Sequence, residues 1–385
     1  MSSPKPLDNT AASPRARIAG RATPQETLRY AARFQGRSAA GHFREIPGGL
    51  LFSSIGIGTY LGEPDRATDE AYTAAVYAAV EGSANVVDTA INYRFQRSER
   101  SIGAALGKLL ARGFSRAEII LCTKAGFLTP DGEMPADPNE YFSRELVEPG
   151  ILRPEEIAAG CHSMAPRFLA DQLERSLGNL GVECVDIFYL HNHETQLTEI
   201  PADEFRRRIR DAFAFLESAV AAGKIGAYGM ATWNAFRDDP RGAGYLSLAE
   251  MAAIAREAGG PDHHFRFVQL PLNLAMPEAF TRPNQVVEGN PMAMVKAARI
   301  LGITLVASAS LLQGQLSRNL PPYIRAALGP HDDSALALQF VRSVPGITTA
   351  LAGMSRIEHV RANLALVAVE PAPRDQLLKL FAPHA

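Results

Sequence analysis

Eight short apolar segments alternate with longer segments of helical periodicity, and this alternation restricts the possible folds more than any other feature of the chain. Repeated strand–helix units produce a parallel sheet, and eight of them favour closure into a barrel over an open sheet. We therefore predict an α/β protein folded as a (β/α)8 TIM barrel. The predicted strands cover residues 55–59, 85–88, 119–123, 185–190, 227–230, 267–270, 304–307 and 348–351.

The clearest of the predicted helices covers residues 166–180. Its leucines recur every three or four residues and form one apolar stripe, and Gly181 follows as a stop signal. The preceding segment, residues 125–165, is rich in Pro and Gly. We predict that it forms a long loop after the third strand of the barrel.

The first 42 residues are predicted to form an N-terminal tail and a short helical arm, followed by a barrel that spans residues 43–385. Residues 1–22 contain few large apolar side chains, a composition that favours disorder. At the start of the barrel region, a Pro-Gly-Gly turn between apolar ends predicts a hairpin over residues 43–52.

The helical arm is predicted from a cap signal. Thr23 and Pro24 begin a segment with capping-box spacing, in which Pro occupies the first helical position. This helix could dock on the barrel or on a partner through Leu28 and Phe34. A mostly solvated arm is the interpretation that the sequence favours.

Charge and composition limit the classes of partner. The net charge is -2, which gives no reason to expect binding to nucleic acid or to an anionic membrane. No apolar run approaches the roughly 20 residues of a membrane helix, and the N-terminus lacks the apolar core of a signal peptide. Three cysteines without metal-ligand spacing suit a reducing compartment. We therefore expect a cytoplasmic protein, and the sequence predicts no oligomeric state.

Four polar residues lie at or just past the ends of three predicted strands, at the end of a (β/α)8 barrel where chemistry takes place. They are Asp88, Tyr93, Lys124 and His191. A lysine ammonium beside a phenol lowers the phenol's pKa from about 10 toward neutrality, and an aspartate holds such a lysine charged. A histidine facing the same point can orient a carbonyl group.

This set predicts proton donation to a carbonyl oxygen while hydride arrives at the carbonyl carbon. None of the four side chains can supply hydride, so a nicotinamide cofactor is required. Each residue alone also has a structural explanation. Asp88 could cap a helix, Tyr93 could pack in the core, Lys124 could be solvated, and His191 could be a hydrogen-bonded core residue. Their joint placement favours the catalytic interpretation.

Several motifs, in order and spacing from about residue 43 to residue 364, resemble the aldo-keto reductase superfamily. They are NVVDTAINY (85–93) with SERSIG (98–103), CTK (122–124), VDIFYLH (185–191), VQLPLN (268–273) and LLQGQL (311–316). The resemblance implies that Tyr93 is the general acid, that Lys124 and Asp88 adjust its acidity, and that His191 orients the carbonyl. It also implies reduction of an aldehyde or ketone by direct hydride transfer, or the reverse oxidation of an alcohol.

The resemblance further implies which residues bind the cofactor. We expect NADPH, with NADH as the alternative, because Arg356 at the start of the last helix could hold an adenosine 2'-phosphate. Ser355 and Glu358 have capping-box spacing, so a purely structural role for that serine stays open. The expected cofactor-binding residues are Thr232, Gln269, Ser308, Leu311, Gln313, Gly314, Gln315, Gly353, Ser355, Arg356, His359 and Asn363.

Two positions depart from the family pattern. Ala231 and Thr232 stand where the family usually has Ser-Asn, and Ser308 stands where it usually stacks an aromatic ring on the nicotinamide. Trp233, the only tryptophan, could compensate, although packing is the role that we favour for it.

Two further expectations concern metal and substrate. His191 and His193, two residues apart, could bind a divalent ion, but the sequence offers no further ligands, so we predict no metal site. His193 is then expected in the substrate pocket or in a loop. The long loop is expected to select the substrate, a small-molecule carbonyl compound or alcohol, through Phe127, Tyr141, Phe142 and His162.

Two alternative functions remain on the same barrel. The first is a non-enzymatic, cofactor-sensing regulatory protein, which the altered positions Ala231 and Ser308 leave open. The second is an NAD-dependent sugar dehydrogenase, which would use the same site.

Overall fold

Eight parallel strands close into a barrel in the computed structural model, which describes residues 16–329 and 332–381. The barrel strands are joined in the order β3-β4-β5-β6-β7-β8-β11-β12, with β12 pairing back to β3. The strands are β1 (Phe43–Glu45), β2 (Leu51–Ser53), β3 (Ile55–Gly58), β4 (Val86–Asp88), β5 (Ile120–Ala125), β6 (Val185–His191), β7 (Ile225–Ala231), β8 (Phe265–Pro271), β9 (Gln285–Val287), β10 (Asn290–Met292), β11 (Thr304–Ser308) and β12 (Ile347–Gly353).

The (β/α)8 prediction is confirmed, and each of the eight predicted strands overlaps one barrel strand. Every residue of β5 and β6 is buried, since the barrel core lies on one side of the sheet and helices pack on the other. The helices are α1 (Pro24–Ala32), α2 (Arg66–Glu81), α3 (Arg97–Ala111), α4 (Pro138–Phe142), α5 (Pro166–Leu180), α6 (Ala202–Ala221), α7 (Leu248–Gly259), α8 (Glu278–Thr281), α9 (Met294–Ile300), α10 (Pro322–Leu328), α11 (Asp333–Ser343), α12 (Ile357–Leu364) and α13 (Arg374–Lys379).

The predicted hairpin forms as β1 and β2, and it closes the N-terminal end of the barrel. Phe52 on β2 is fully buried and stacks on Phe267 of β8 with ring centroids 6.0 Å apart. Ile46, from the turn, joins the same apolar cluster inside the barrel. Apolar side chains therefore fill the N-terminal end of the barrel, and the predicted catalytic residues lie at the carboxyl ends of the strands.

Helix α1 packs on the barrel, so the mostly solvated arm is wrong. Thr23 caps the helix and Pro24 occupies its first turn, as predicted. Tyr30 is fully buried, and its hydroxyl donates a hydrogen bond of 2.6 Å to the carbonyl oxygen of Val80 on α2. The predicted disordered tail lies outside the described residues up to residue 15. For residues 16–22 the prediction is wrong, because Ile18 forms a parallel bridge with Val182 and Ala22 is buried.

The long segment between β5 and α5 runs from residue 126 to residue 165, as predicted. It contains α4, a π-helical turn (Ser143–Val147) and a short 3-10 helix (Pro154–Glu156). Helix α5 ends at Leu180, and Gly181 has a positive φ of 68°, which suits a glycine stop.

The predicted capping box at the last barrel helix is wrong. Helix α12 begins one residue later than that pattern requires, with Arg356 at the N-cap position and no side chain capping it. Ser355 therefore does not cap this helix. Among the helices in the described part of the chain, none is both long and apolar enough to cross a membrane.

A buried ion pair ties the N-terminal end of the barrel together. Asp186, near the start of β6, accepts hydrogen bonds from the Arg116 guanidinium at 2.8 Å and from the backbone N–H groups of Leu121 and Ala22. The Arg116 and Asp186 side chains are 3% and 4% exposed. This carboxylate therefore connects the N-terminal segment, β5 and β6.

We predict that Asp186→Asn destabilises the protein by about 3–5 kcal/mol, because it leaves the Arg116 charge buried without a carboxylate. Urea unfolding measures the change. The control is Glu70→Gln, which breaks an ion pair with Arg66 whose side chains are 90% and 65% exposed, and which should unfold like the wild type. Equal stability of both variants would contradict the structural role of the buried pair.

Candidate active site

A cavity of about 910 Å³ opens at the carboxyl ends of the barrel strands. Residues at or just after all eight strands line it, as expected for a site in this type of barrel. The volume lies at the upper end of the usual range for ligand sites.

Three of the four predicted catalytic residues are in direct contact. The Lys124 Nζ lies 2.6 Å from Asp88 Oδ2, 2.8 Å from the carbonyl oxygen of Thr89 and 3.3 Å from Tyr93 Oη. Both side chains are buried, 1% exposed for Lys124 and 5% for Asp88; Asp88 forms part of the cavity floor and Lys124 lies beneath it. Asp88 ends β4 and Lys124 lies on β5, so the pairing of these neighbouring strands brings the two charges together.

His191 completes the set from the end of β6. Its ring meets the Tyr93 ring edge-on, with centroids 5.7 Å apart, and both residues line the cavity. Burial, together with the nearby Lys124 charge, lowers the pKa of His191 well below its usual value, so the imidazole is neutral. The structure therefore brings all four predicted residues together.

Burial dominates the acidity of the phenol. It raises the pKa of Tyr93 above its usual value of 10.0, while the Lys124 ammonium opposes this rise. From the sequence we expected the lysine to lower the phenol's pKa toward neutral pH, but in the structure the effect of burial is larger. Tyr93 therefore keeps its proton at neutral pH.

The charge state of the ion pair follows from the same balance. Burial tends to lower the pKa of Lys124, but the Asp88 carboxylate reverses this and raises it overall. The ammonium is therefore charged. Gln269 adds to the arrangement, since its Nε2 donates to Asp88 Oδ1 at 2.8 Å.

Most of the predicted cofactor-binding residues also line the cavity. Gln315 and Arg356 do not; both are exposed beside lining residues. Gln315 follows a turn with positive φ at Gln313 and Gly314, and the chain lines the cavity again at Ser317 and Arg318. Those that line it are Thr232, Gln269, Ser308, Leu311, Gln313, Gly314, Gly353, Ser355, His359 and Asn363.

Sequence reasoning missed several lining residues. Tyr60 and Leu61 lie within three residues of the end of β3, and Asn192 directly follows β6, so position after a strand was a usable signal. Arg318 is a cation within the segment expected near the pyrophosphate. The others are Gly58, Thr59, Asn92, Ala309, Ser310, Ser317, Ser334, Leu351 and Ala362.

The long loop contributes less to the cavity than expected. Phe127 lines it, but Tyr141 and Phe142 line a separate, much smaller cavity. His162 is fully buried, and its Nε2 lies 2.7 Å from the carbonyl oxygen of His191. The predicted pocket role of Tyr141, Phe142 and His162 is therefore wrong.

His162 instead fastens the long loop to β6. Gln196 Nε2 donates to His162 Nδ1 at 2.9 Å, so the Nε2 of His162 carries the proton donated to the His191 carbonyl. Burial lowers the pKa of His162 to about 4, which keeps the ring neutral. Phe127 meets both imidazoles edge-on, with centroid distances of 5.1 Å to His162 and 5.3 Å to His191.

Trp233 is exposed at the cavity wall, so the favoured packing role is wrong. Its side chain is 41% exposed and lines the cavity. Its backbone is held at both ends, because its N–H donates to a carboxylate oxygen of Glu194 and its carbonyl accepts from Arg237 Nε at 3.1 Å.

His193 is a buried loop residue and does not line the cavity. Asn192 has a positive φ of 41° and ends the strand, so the two histidines do not project from one strand as the metal interpretation requires. In the described part of the chain, no group of three or more His, Cys, Asp or Glu residues could hold a metal ion. The pocket interpretation of His193 is wrong, and the loop interpretation is confirmed.

Comparison with known proteins agrees with the motifs. The model of the aldo/keto reductase family matches residues 54–239, which include Asp88, Tyr93, Lys124 and His191. The resemblance to the aldo-keto reductase superfamily is thereby confirmed. No curated protein matches the sequence significantly.

Solved structures share the fold at low identity. An aldo/keto reductase from Klebsiella pneumoniae in complex with NADP and acetate is 18% identical, with 88% of this chain and 94% of that chain covered and a TM-score of 0.58. An aldo-keto reductase from Bacillus halodurans in its holo form is 19% identical, with 88% and 95% covered and a TM-score of 0.60. A glycerol dehydrogenase from Gluconobacter oxydans is 18% identical, with 89% and 94% covered and a TM-score of 0.60.

Proposed function

We propose that this chain, whose residues 54–239 belong to the aldo/keto reductase family, is an NADPH-dependent oxidoreductase that interconverts a carbonyl compound and an alcohol. The observation that carries the proposal is the contact of Tyr93 with a buried Lys124–Asp88 pair, beside a neutral His191 at the floor of the cavity. These groups can hold a carbonyl oxygen and give it a proton.

The cavity residues fit a dinucleotide cofactor. The hydroxyls of Thr232 and Ser310 are buried and have no hydrogen-bond partner among the described residues, so they are free to bind one. Helix α12 begins directly after Ser355 and Arg356 and has no side-chain cap, and such a helix N-terminus is a favourable position for an anion. The Klebsiella pneumoniae relative was crystallised with NADP, which supports the same cofactor here.

The bound nicotinamide would supply hydride to the carbonyl carbon. His191, being neutral, can donate a hydrogen bond that holds the carbonyl oxygen near Tyr93. The Tyr93 hydroxyl gives its proton to that oxygen as the alkoxide develops. The phenolate that remains is stabilised by the Lys124 ammonium at 3.3 Å, and Asp88 fixes the lysine in place. In the oxidation direction the phenolate takes the proton from the alcohol.

Two alternatives make different predictions for the same assay. A non-enzymatic regulatory barrel would bind NADPH without turnover. An NAD-dependent sugar dehydrogenase would oxidise sugars and prefer NAD. A cytoplasmic location is part of the proposal, and the described cysteines Cys122, Cys161 and Cys184 are all free thiols.

We predict that Tyr93→Phe lowers kcat for carbonyl reduction by about 10²–10⁴-fold, the usual contribution of general acid catalysis. NADPH binding should stay within a few-fold of wild type, because the phenol does not hold the cofactor. Tyr77→Phe, which removes a hydroxyl on α2 that is bonded to Glu81, serves as the control and should keep full activity. A Tyr93→Phe enzyme with more than roughly a tenth of the wild-type kcat would show that another group is the acid.

We predict that Arg356→Ala weakens NADPH binding by about ten- to a hundredfold, since a charge-assisted hydrogen bond contributes about 1.5–3 kcal/mol. NADH lacks the 2'-phosphate and should bind almost unchanged. Isothermal titration with both cofactors measures the difference, with Arg361→Ala on the same helix as a charge-matched control. Equal losses for NADPH and NADH would remove Arg356 from the 2'-phosphate site.

A further inference from the structure

We propose that the substrate is an uncharged carbonyl compound with an aromatic ring beside the carbonyl group, and not a carboxylated or phosphorylated one. This inference rests on the proposed function and names the substrate class for the same cavity. It follows from how the barrel order distributes rings and charges around the rim.

Five neighbouring strands each place a ring at the rim, and we call these residues the aromatic arc. In barrel order they follow or end β3, β4, β5, β6 and β7. The remaining strands, β8, β11 and β12, carry nearly all of the predicted cofactor-binding residues. The cavity is therefore divided by topology into an aromatic side and a cofactor side. The aromatic arc consists of Tyr60, Tyr93, Phe127, His191 and Trp233.

Four rings of the arc, those of Tyr60, Tyr93, His191 and Phe127, form a chain of edge-on contacts that includes the proton donor. Tyr60 meets Tyr93 with ring centroids 5.0 Å apart, Tyr93 meets His191 at 5.7 Å, and His191 meets Phe127 at 5.3 Å. Each of these pairs has a T-shaped geometry, which is a favourable arrangement for aromatic side chains. A planar ring bound here would meet further ring edges and faces on both sides of the reacting carbonyl.

Large apolar side chains on this wall are exposed to an unusual degree. Tyr60 is 54% exposed, Leu61 42% and Trp233 41%, and all three line the same cavity. A grouped, exposed apolar surface indicates a binding site, whereas single exposed residues do not.

Trp233 is also presented by a rigid backbone. Glu194 and Arg237 fix the N–H and the carbonyl of this residue, so little freedom of the main chain is lost when a ligand binds to its indole. An exposed ring on a fixed backbone is a good contact surface for a flat ligand.

The charges on the aromatic side exclude anionic substrates. Among the described residues that line this side, Asp88 is the sole Asp or Glu and neither Lys nor Arg is present. The Lys124 charge lies below the floor and is already paired with Asp88. Arg318 lines the cofactor side, near β11. A substrate carboxylate bound on this side would therefore lose hydration without an unpaired cation to compensate it, which is costly.

Neutral polar groups complete this side. Asn92 and Asn192 line the cavity next to Tyr93 and His191 in the sequence. Their amides can bind hydroxyl, methoxy or carbonyl substituents of an uncharged ring without demanding a charge. This combination favours a neutral, substituted aromatic aldehyde or ketone.

The kinetic test compares benzaldehyde, 4-carboxybenzaldehyde and propanal with NADPH and the full-length protein. We expect kcat/KM for benzaldehyde to exceed that for the other two by at least about tenfold, since ring contacts and the avoided charge burial act in the same direction. A kcat/KM for 4-carboxybenzaldehyde equal to or above that for benzaldehyde would overturn the inference.

Variants of Trp233 test whether the aromatic arc causes the preference for benzaldehyde. Trp233→Ala should reduce the preference for benzaldehyde over propanal by about tenfold, and Trp233→Phe should restore most of it. Leu28→Ala removes an exposed apolar side chain on α1, outside the cavity, and should leave the preference unchanged. A Trp233→Ala enzyme with an undiminished preference would also contradict the proposal.

A binding measurement separates this inference from the proposed function. Trp233 is the only tryptophan of the chain, so its fluorescence reports on the arc. We expect saturable quenching by benzyl alcohol and none by 1-propanol at the same concentrations. If none of the aldehydes is reduced, the proposed function fails, yet this result still decides the inference. Equal quenching by both compounds, or by neither, would overturn it.

Discussion

The buried ion pair between Lys124 and Asp88 is the interaction on which the site depends. Removing both charges from water is costly, and the cost is offset only where the geometry is good and further hydrogen bonds satisfy the remaining atoms. Here the Thr89 carbonyl accepts from Lys124 and Gln269 donates to Asp88, so both partners are satisfied. The third contact of the ammonium is with the Tyr93 hydroxyl, and in the proposed mechanism it stabilises the phenolate.

The two ends of the barrel differ in polarity, and this difference makes the buried pair possible. The hairpin β1-β2 fills the N-terminal end with apolar side chains such as Phe52, so the inner core is dry beneath the pair. The carboxyl end collects residues from eight strands around one cavity. Because the strands keep chain order around most of the ring, ring-bearing residues and cofactor-binding residues fall on opposite sides of it.

Residues tied to strands could be predicted from the sequence, and residues set by loops could not. Asp88, Lys124 and His191 lie at or near strand ends, so the strand pattern alone placed them at the right end of the barrel. His162 shows the opposite case. Its buried position depends on hydrogen bonds with the His191 carbonyl and with Gln196, which are distant in sequence. No sequence pattern around His162 indicates those contacts.

The same reasoning explains two other errors. Ser355 had the spacing of a cap, but α12 begins one residue later and leaves it on the cavity wall. Trp233 was expected to pack because large rings are usually buried, whereas Glu194 and Arg237 hold its backbone where the ring faces the cavity. Hydrogen bonds with Glu194, which is distant in sequence, and with Arg237 hold the Trp233 backbone, and such bonds are not visible in hydrophobic periodicity.

The central claim is that Lys124 controls the acidity of Tyr93, and the pH dependence of alcohol oxidation with NADP tests it most directly. Oxidation needs the phenolate, so its rate rises with pH until the pKa of Tyr93 is passed. Lys124→Met removes the charge that opposes the effect of burial, which raises that pKa further and should move the rise to higher pH while lowering the rate. Lys108→Met, at an exposed position on α3, should leave the profile unchanged. A Lys124→Met profile that superimposes on the wild-type profile would contradict the account.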